Sequence, residues 1–216
     1  MASRDKSAEA GAGSLRVFVA SSNEGKLREY RELAGNSAIE LALIPNFSEL
    51  PPFDESAPTF AENAAGKAQR FGAFAPELLL ADDSGLVVPA LGGGPGIHSA
   101  RYAGPDGTAE DCVRKLLHEM RSVAGDQRRA RFVCVIALAR RSRIVAVISD
   151  FVEGAITDEP RGPAGFGYDP VFFVPQLGCT FGEASAEQKN RYSHRGRAFR
   201  KALQFLGPAQ NTLTPL

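Results

Sequence analysis

The 216-residue chain has no tryptophan, and only two methionines, three histidines and three cysteines. Cys112, Cys134 and Cys179 are far apart and odd in number, which argues against a disulfide frame and gives no zinc-ligand spacing. They read as reduced core thiols of a cytoplasmic protein. His98, His118 and His194 show no metal spacing either. Net charge is missing too: Lys plus Arg is 25 and Asp plus Glu is 25, so no broad basic surface is offered to nucleic acid or an anionic membrane. No apolar run approaches the roughly 20 residues that a membrane span requires. The opening "MASRDKSAEAGAGS" lacks the apolar stretch of a secretory signal and is expected to be a disordered lead. No repeat or long linker divides the rest, so residues 15–207 are expected to form one domain, with 208–216 as a C-terminal tail.

What is present alternates between strands and helices. "LRVFVA" (15–20) reads as a buried strand, and "LREYRELAG" as a helix ending at Gly35. "IELALIP" is a second strand, followed by the acidic, Pro-rich loop "NFSELPPFDESAP". Thr59 with Glu62 three residues on fits a capping box for the next helix. On that helix Phe60, Ala64, Ala68 and Phe71 form an apolar face, and Asn63, Lys67 and Arg70 line another. "LGGGPGIHSARYAGPDG" is too rich in Gly and Pro for a regular element. "AEDCVRKLLHEMRSV" reads as a helix, with His118 exposed. "ARFVCVIALA" and "IVAVISDFVEGAI" read as antiparallel strands joined by a tight "RRSR" turn. A Gly-rich loop and short aromatic strand, "GPAGFGYDPVFFVP", precede a last helix that starts near "SAEQKN" and resumes at "HRGRAFRKALQFL". The fold class is α/β, with a mixed β-sheet and flanking helices.

The candidate chemistry sits in five places, each with two readings. In "LLLADDSGLVV", Asp82 and Asp83 form either a turn, which Asp, Ser and Gly favour, or a charged site whose carboxylates need compensation. "SSNEGK" is either an ordinary helix cap or a phosphate site built from helix-terminal N–H groups and Lys26. It is not a P-loop, because Ala20 stands in the first glycine's place and Leu27 follows the lysine. Lys67 belongs to a solvated face, or assists with phosphate if that face turns toward "SSNEGK". Asp54 or Glu55 can join Asp83 as the oxygen donors that Mg²⁺ prefers, or simply keep a loop soluble. Phe166 and Tyr168, on a glycine hinge with Asp169 as an acceptor, can stack on a base or pack a turn. Lys189, His194 and Arg195 offer donors, or form a basic helix face.

Taken in order, "ASSNEGK", "TFAENAAGKA", "ADDSGLVVPALGGGPGIHSARYAG", "GFGYDPVFFVP" and "EQKNRYSHRGRA" resemble the inosine triphosphate pyrophosphatase family over about Leu15–Phe205. That family clears deaminated purine nucleotides from the nucleotide pool. The resemblance implies Mg²⁺-dependent hydrolysis of ITP, dITP or XTP to the monophosphate and pyrophosphate, by an elongated two-lobed protein with a central cleft. It also implies a homodimer, for which the partly apolar "LGGGPGIHSARYAG" offers a packing surface. It implies that Ser21, Ser22, Asn23, Glu24, Gly25 and Lys26 hold phosphates with help from Lys67. Asp83 becomes the catalytic carboxylate and a metal ligand, Glu55 (in preference to Asp54) the second metal carboxylate, and Ser84 a substrate contact. Phe166, Gly167, Tyr168, Asp169, Lys189, His194 and Arg195 hold base and sugar. The 6-oxo acceptor of such a base calls for donors from Arg195 and His194 or from nearby backbone N–H groups. Both Asp82 and Asp83 are then expected at the cleft mouth, facing Mg²⁺ and phosphate. The chain departs from the family pattern at Gly182, at Ala184, and at Cys112, where an asparagine is common. Two rival readings are a pyrophosphatase for modified or pyrimidine nucleotides and a non-catalytic nucleotide-binding sensor. Intact Asp83, Lys26 and Lys67 argue against the sensor.

Overall fold

The computed structural model describes residues 15–35, 37 and 39–209; the expected lead, 1–14, and residues 210–216 lie outside the described residues. Strand β1 (Leu15–Val19) leads into α1 (Glu24–Ala34), whose first turn is capped by the Asn23 side chain accepting from the Lys26 N–H. Gly35 closes α1 at a φ of 43°, where a side chain would be strained. Strand β2 (Ile39–Leu43) lies parallel beside β1. Helix α2 (Phe60–Gly72) then crosses to the other side of β1, where β3 (Leu78–Val87) also pairs parallel. The Thr59 cap accepts from the Glu62 N–H, while the Glu62 carboxylate accepts from the Thr59 hydroxyl rather than from its backbone N–H, so only half of the expected box is formed.

After two 3-10 turns (Pro89–Leu91 and Gly96–Arg101) and α3 (Ala109–Glu119), β4 (Arg129–Arg140) and β5 (Arg143–Ile156) form a long antiparallel hairpin. Its turn residues Arg141 and Ser142 both have positive φ, 47° and 65°, as the twist of a two-residue hairpin requires. Short strands β6 (Phe172–Val174) and β7 (Cys179–Thr180), then α4 (Ala186–Tyr192) and α5 (His194–Ala209), complete the chain. The helix thus runs two residues into the segment expected to be a tail. The seven strands make one mixed sheet in the order β2-β1-β3-β4-β5-β6-β7, as the sequence pattern leads one to expect.

Three apolar clusters hold the sheet. Alternate residues of β1, β3 and β4 pack against α1 and α5 on one face, with Tyr30 and Phe199 at the centre. The opposite residues pack against Ala64, Ala68 and Phe71 of α2. The third cluster forms a second lobe around α3, the far ends of β3, β4 and β5, and β6. The strands β3–β5 run through both lobes, which is why the two share a single sheet. Among the described residues, no helix is long and apolar enough to cross a membrane.

Candidate functional site

β1 pairs with β3 from Val17–Leu78 as far as Val19–Leu80, after which the Ala20 N–H donates to the Leu80 carbonyl at 2.9 Å. Beyond that point the chain swings into α1, so no β1 pairing continues along β3. One crossover from β1 runs to β2 and the next returns past β1 to β3, which makes this a topological switch point, where α/β sheets characteristically hold ligands. Asp82 and Asp83 sit there. The "DDSG" segment is therefore not a turn: it lies inside the ten-residue strand β3, paired with Val133 to Ile136 of β4. The strand is held by its apolar ends and by β4, which outweighs the local turn preference of Asp, Ser and Gly.

Strand alternation then separates the two carboxylates. Asp82 and Ser84 face α1 and α5, whereas Asp83 faces α2, so the expectation that both aspartates look out on one metal and phosphate is corrected. Asp82, 1% exposed, is met by Lys26 Nζ at 2.9 Å and lies 3.8 Å from Arg195 Nε. Burial alone would raise its pKa, but Lys26, Arg195 and Lys67 together hold it below the usual carboxylate range. Its charge is thus balanced by the protein's own cations. Asp83 accepts from the Ser84 N–H at 2.9 Å and from Asn63 Nδ2 at 3.0 Å. Burial, and next the Glu55 charge, push its pKa up.

The face carrying Lys67 does turn toward "SSNEGK". Lys67, buried beneath α2, donates to the Asp82 carbonyl at 3.1 Å and pairs with the Glu55 carboxylate. Two lysines from helices on opposite faces of the sheet therefore converge on one residue. Of the two acidic-loop residues, Glu55 points into this centre, while Asp54 is exposed and accepts from Ser56. Arg70, on the same helix line as Asn63 and Lys67, is exposed over Phe74 and takes no part.

On the α1 side a cavity of about 460 Å³ opens, lined by Asn23–Lys26, Ser84, the 166–169 loop, Lys189, His194 and Arg195. The α1 N-terminus forms one wall. Ser21, Ser22 and Lys67 lie outside that lining; Ser21 Oγ accepts from the Asn23 N–H at 3.2 Å and so shapes the turn. Phe166 lies flat against Gly25, where an added Cβ would come within 2.7 Å of its ring. The Lys189 ammonium stands 4.5 Å from the same ring's centre. Tyr168 differs from expectation: its ring is buried in the second-lobe core and its hydroxyl donates to the Ser99 carbonyl at 2.8 Å. It packs the floor and presents no open face. Asp169 is an acceptor, as expected, but its partners are the Phe166 N–H and Lys189, so it shapes the loop and anchors the lysine. His194 stacks on Phe132 (centroids 4.7 Å apart, planes 11° apart) with Nδ1 unpaired. Burial, and then the nearby Arg195, Lys189 and Lys26, keep its ring neutral.

Arg195 is more committed than a base-reading donor should be. Its Nη1 donates to Glu29, its Nη2 donates to Ser84 Oγ at 2.9 Å, and Glu29 also pairs with Lys189. Sequence reasoning misses Glu29. Its position three after Lys26, on the same helix face, is the available signal. Burial opposes its charge, yet Arg195 and Lys189 hold its pKa below the ordinary value. Asn63, which the sequence marks only as a neighbour of Lys67, is the hydrogen-bond partner of Asp83.

Fold and pocket together define an α/β protein with a cationic and aromatic cleft at the sheet's switch point. A model of the Ham1 family matches residues 17–205, and the chain belongs to that family. It is 44% identical over 185 residues to the dITP/XTP pyrophosphatase of Geobacillus kaustophilus (strain HTA426), covering 86% of this chain and 91% of the relative. It is 46% identical over 182 residues to that of Shouchella clausii (strain KSM-K16), covering 84% and 91%. A HAM1 protein from Coxiella burnetii superposes with a TM-score of 0.81 at 38% identity, over 90% of this chain and all of that one. The Staphylococcus aureus Ham1 protein gives 0.78 at 37% identity, over 89% and 98%.

Proposed function

We infer that this protein hydrolyses deaminated purine nucleoside triphosphates (dITP, ITP and XTP) to the monophosphate and pyrophosphate. The observation that carries the reading is the convergence of Lys26 and Lys67 on the Asp82–Asp83 strand beside an aromatic, donor-lined cavity. The α1 N-terminus with Lys26 supplies positive potential for phosphate oxygens, and Lys67 reaches the same point from α2. Phe166, hinged between Gly165 and Gly167, is the aromatic side chain of the lining on which a base would stack in place of its contact with Gly25. The unpaired His194 nitrogen remains as the polar group to recognise the purine edge, while Arg195 chiefly holds Ser84 and the cavity wall.

Among the described residues, no group of three or more His, Cys, Asp or Glu forms a metal cluster. Glu55 and Asp83 nevertheless fit a hard divalent cation. They are oxygen donors at one point, and the raised Asp83 pKa reflects its burial first and the nearby Glu55 charge next. We assign Mg²⁺ to this pair. When bound, it supplies charge neutralisation of phosphate oxygens and acidifies a water. Asn63 and the Ser84 N–H fix the Asp83 carboxylate for positioning that water, with Asp83 as the catalytic residue.

Purified protein given dITP and Mg²⁺ is expected to release pyrophosphate, in preference to dTTP, UTP or dATP. Release of orthophosphate alone, or no turnover, would reject the reading. The three thiols are free, and Cys112 and Cys134 are buried, which suits a reducing cytoplasm holding the nucleotide pool.

We also propose a homodimer, on a surface other than the Gly-rich segment. That segment folds back on its own chain through the Val87–Pro95 bridge. Instead Val147 and Phe151 are exposed on one face of β5, on either side of the exposed Ser149 and followed by the exposed Glu153. The bulge opposite Leu138 and Ala139 takes Arg143 and Val145 out of that alternation. Antiparallel apposition of two such faces about Ser149 sets Val147 of each copy against Phe151 of the other. The outer edge of β5 is unavailable at its middle, because Lys201 and Arg197 bind the Ser149 and Phe151 carbonyls. Sedimentation at micromolar concentration should show a dimer that Val147→Lys dissociates. A wild-type monomer would exclude it.

A further inference from the structure

Residues 51–59, which bring Glu55 to the site, carry no helix or strand. Such a loop does not place a carboxylate by itself. On one side it is tied to α2: the Ala57 N–H donates to Asn63 Oδ1 at 3.0 Å, and Phe53 packs against Phe71. On the other side Arg101 Nη2 donates to the carbonyl of Glu55 itself at 2.7 Å. That bond holds the backbone of the carboxylate-bearing residue while leaving the carboxylate free. The Lys67 contact does not, since a cation at Glu55 would compete with it.

Arg101 acts from a fixed base. It ends the 3-10 turn Gly96–Arg101, which is fastened to β3 by the Leu86 N–H donating to Ser99 Oγ at 2.9 Å. Ser99 Oγ donates in turn to the Gly96 carbonyl at 2.6 Å, and the Ser99 carbonyl accepts from Tyr168. At Gly85 the approach is so close that a Cβ would fall 2.4 Å from the Gly96 oxygen. The turn therefore rides on β3 two residues from Asp83, and Arg101 links the Glu55 backbone to the strand that carries Asp83.

We propose that Arg101 is a positioning residue that fixes Glu55 opposite Asp83, so that the two carboxylates form one preset site for a divalent cation. The proposal rests on the metal reading above. Outer groups that orient metal ligands are worth roughly 10- to 100-fold in metal affinity. Mn²⁺ binding to the nucleotide-free protein, followed by electron paramagnetic resonance, should therefore weaken by roughly 10- to 100-fold in Arg101→Ala and recover in part in Arg101→Lys, which keeps one donor. The metal concentration for half-maximal rate should rise in step, with kcat at saturating metal near wild type and the melting temperature little changed. Wild-type Mn²⁺ affinity in Arg101→Ala overturns the proposal. So does a loss that Arg101→Lys does not relieve and that comes with a lowered melting temperature, which assigns Arg101 to folding. Wild-type protein that binds Mn²⁺ without releasing pyrophosphate sinks the catalytic reading and leaves the Arg101 comparison interpretable; wild-type protein that binds no Mn²⁺ overturns both.

Discussion

Replacing Asp83 with asparagine is expected to lower kcat for dITP by at least roughly 100-fold, the scale of losing a positioned acid–base or metal group. The geometry also specifies a control. Asp83 accepts two hydrogen bonds, from the Ser84 N–H and from Asn63 Nδ2. An asparagine can accept only one of them, so its amide would face the Asn63 amide, donor against donor. Asn63 cannot simply flip, because its Oδ1 already accepts from the Ala57 N–H. Asp83→Asn alone thus combines a lost charge with a buried mismatch, which typically costs about 1–3 kcal/mol of stability. The exchange Asp83→Asn with Asn63→Asp restores an acceptor facing a donor and keeps the total charge, but moves the charge from β3 to α2. Steady-state rates and urea melts on both variants separate the effects. The double variant should regain most of the stability and little of the rate. Activity that returns with stability would show that shape at position 83, not its charge, matters, and would remove Asp83 from catalysis.

The parts of the site legible in the sequence are those whose chemistry is local. "SSNEGK" after a buried strand is a helix start, and Asn23 caps it through a bond spanning three residues. The helical spacing of Asn63 and Lys67 puts both on one face, but the direction of that face is set by how α2 packs on the sheet. Hydrophobic periodicity gives β1, β2, the β4–β5 hairpin and the broken last helix. "DDSG" misleads because turn preference is local, whereas the pairing that makes it a strand comes from β4, some 50 residues on. For the same reason the two aspartates look like one site: adjacency along the chain becomes opposition across a sheet. Tyr168 looks like an open stacking surface because nothing near it in sequence marks the Ser99 carbonyl that buries its hydroxyl. Glu29 and Arg195 are 166 residues apart. A charged residue on an amphipathic helix is usually solvated, so only tertiary packing reveals that this one is buried.

The last expectation concerns that buried carboxylate. Glu29→Ala should destabilise the protein by about 3–5 kcal/mol, because removing one partner of a buried charge network strands the others. Here it strands two: Lys189 keeps Asp169 as its ionic partner among the described residues, and Arg195 keeps Ser84 and a longer approach to Asp82. Both line the cavity, so the KM for dITP should rise along with the loss of stability. Glu29→Gln tests whether charge or shape is responsible, through pH. Arg195 and Lys189 overcome the cost of burial and hold the Glu29 pKa below its ordinary 4.5. A depressed carboxylate contributes stability that is fully present above its unfolded value and is lost as pH falls through its folded value. The stability gap between wild type and Glu29→Gln should therefore be widest near neutral pH and close in acid, as the wild-type carboxyl becomes protonated and as uncharged as the amide. Urea midpoints measured from neutral pH down into the acid range follow that gap directly. A gap that is small at neutral pH, or that stays constant with pH, would mean that the Glu29 charge does not hold the two cations in place.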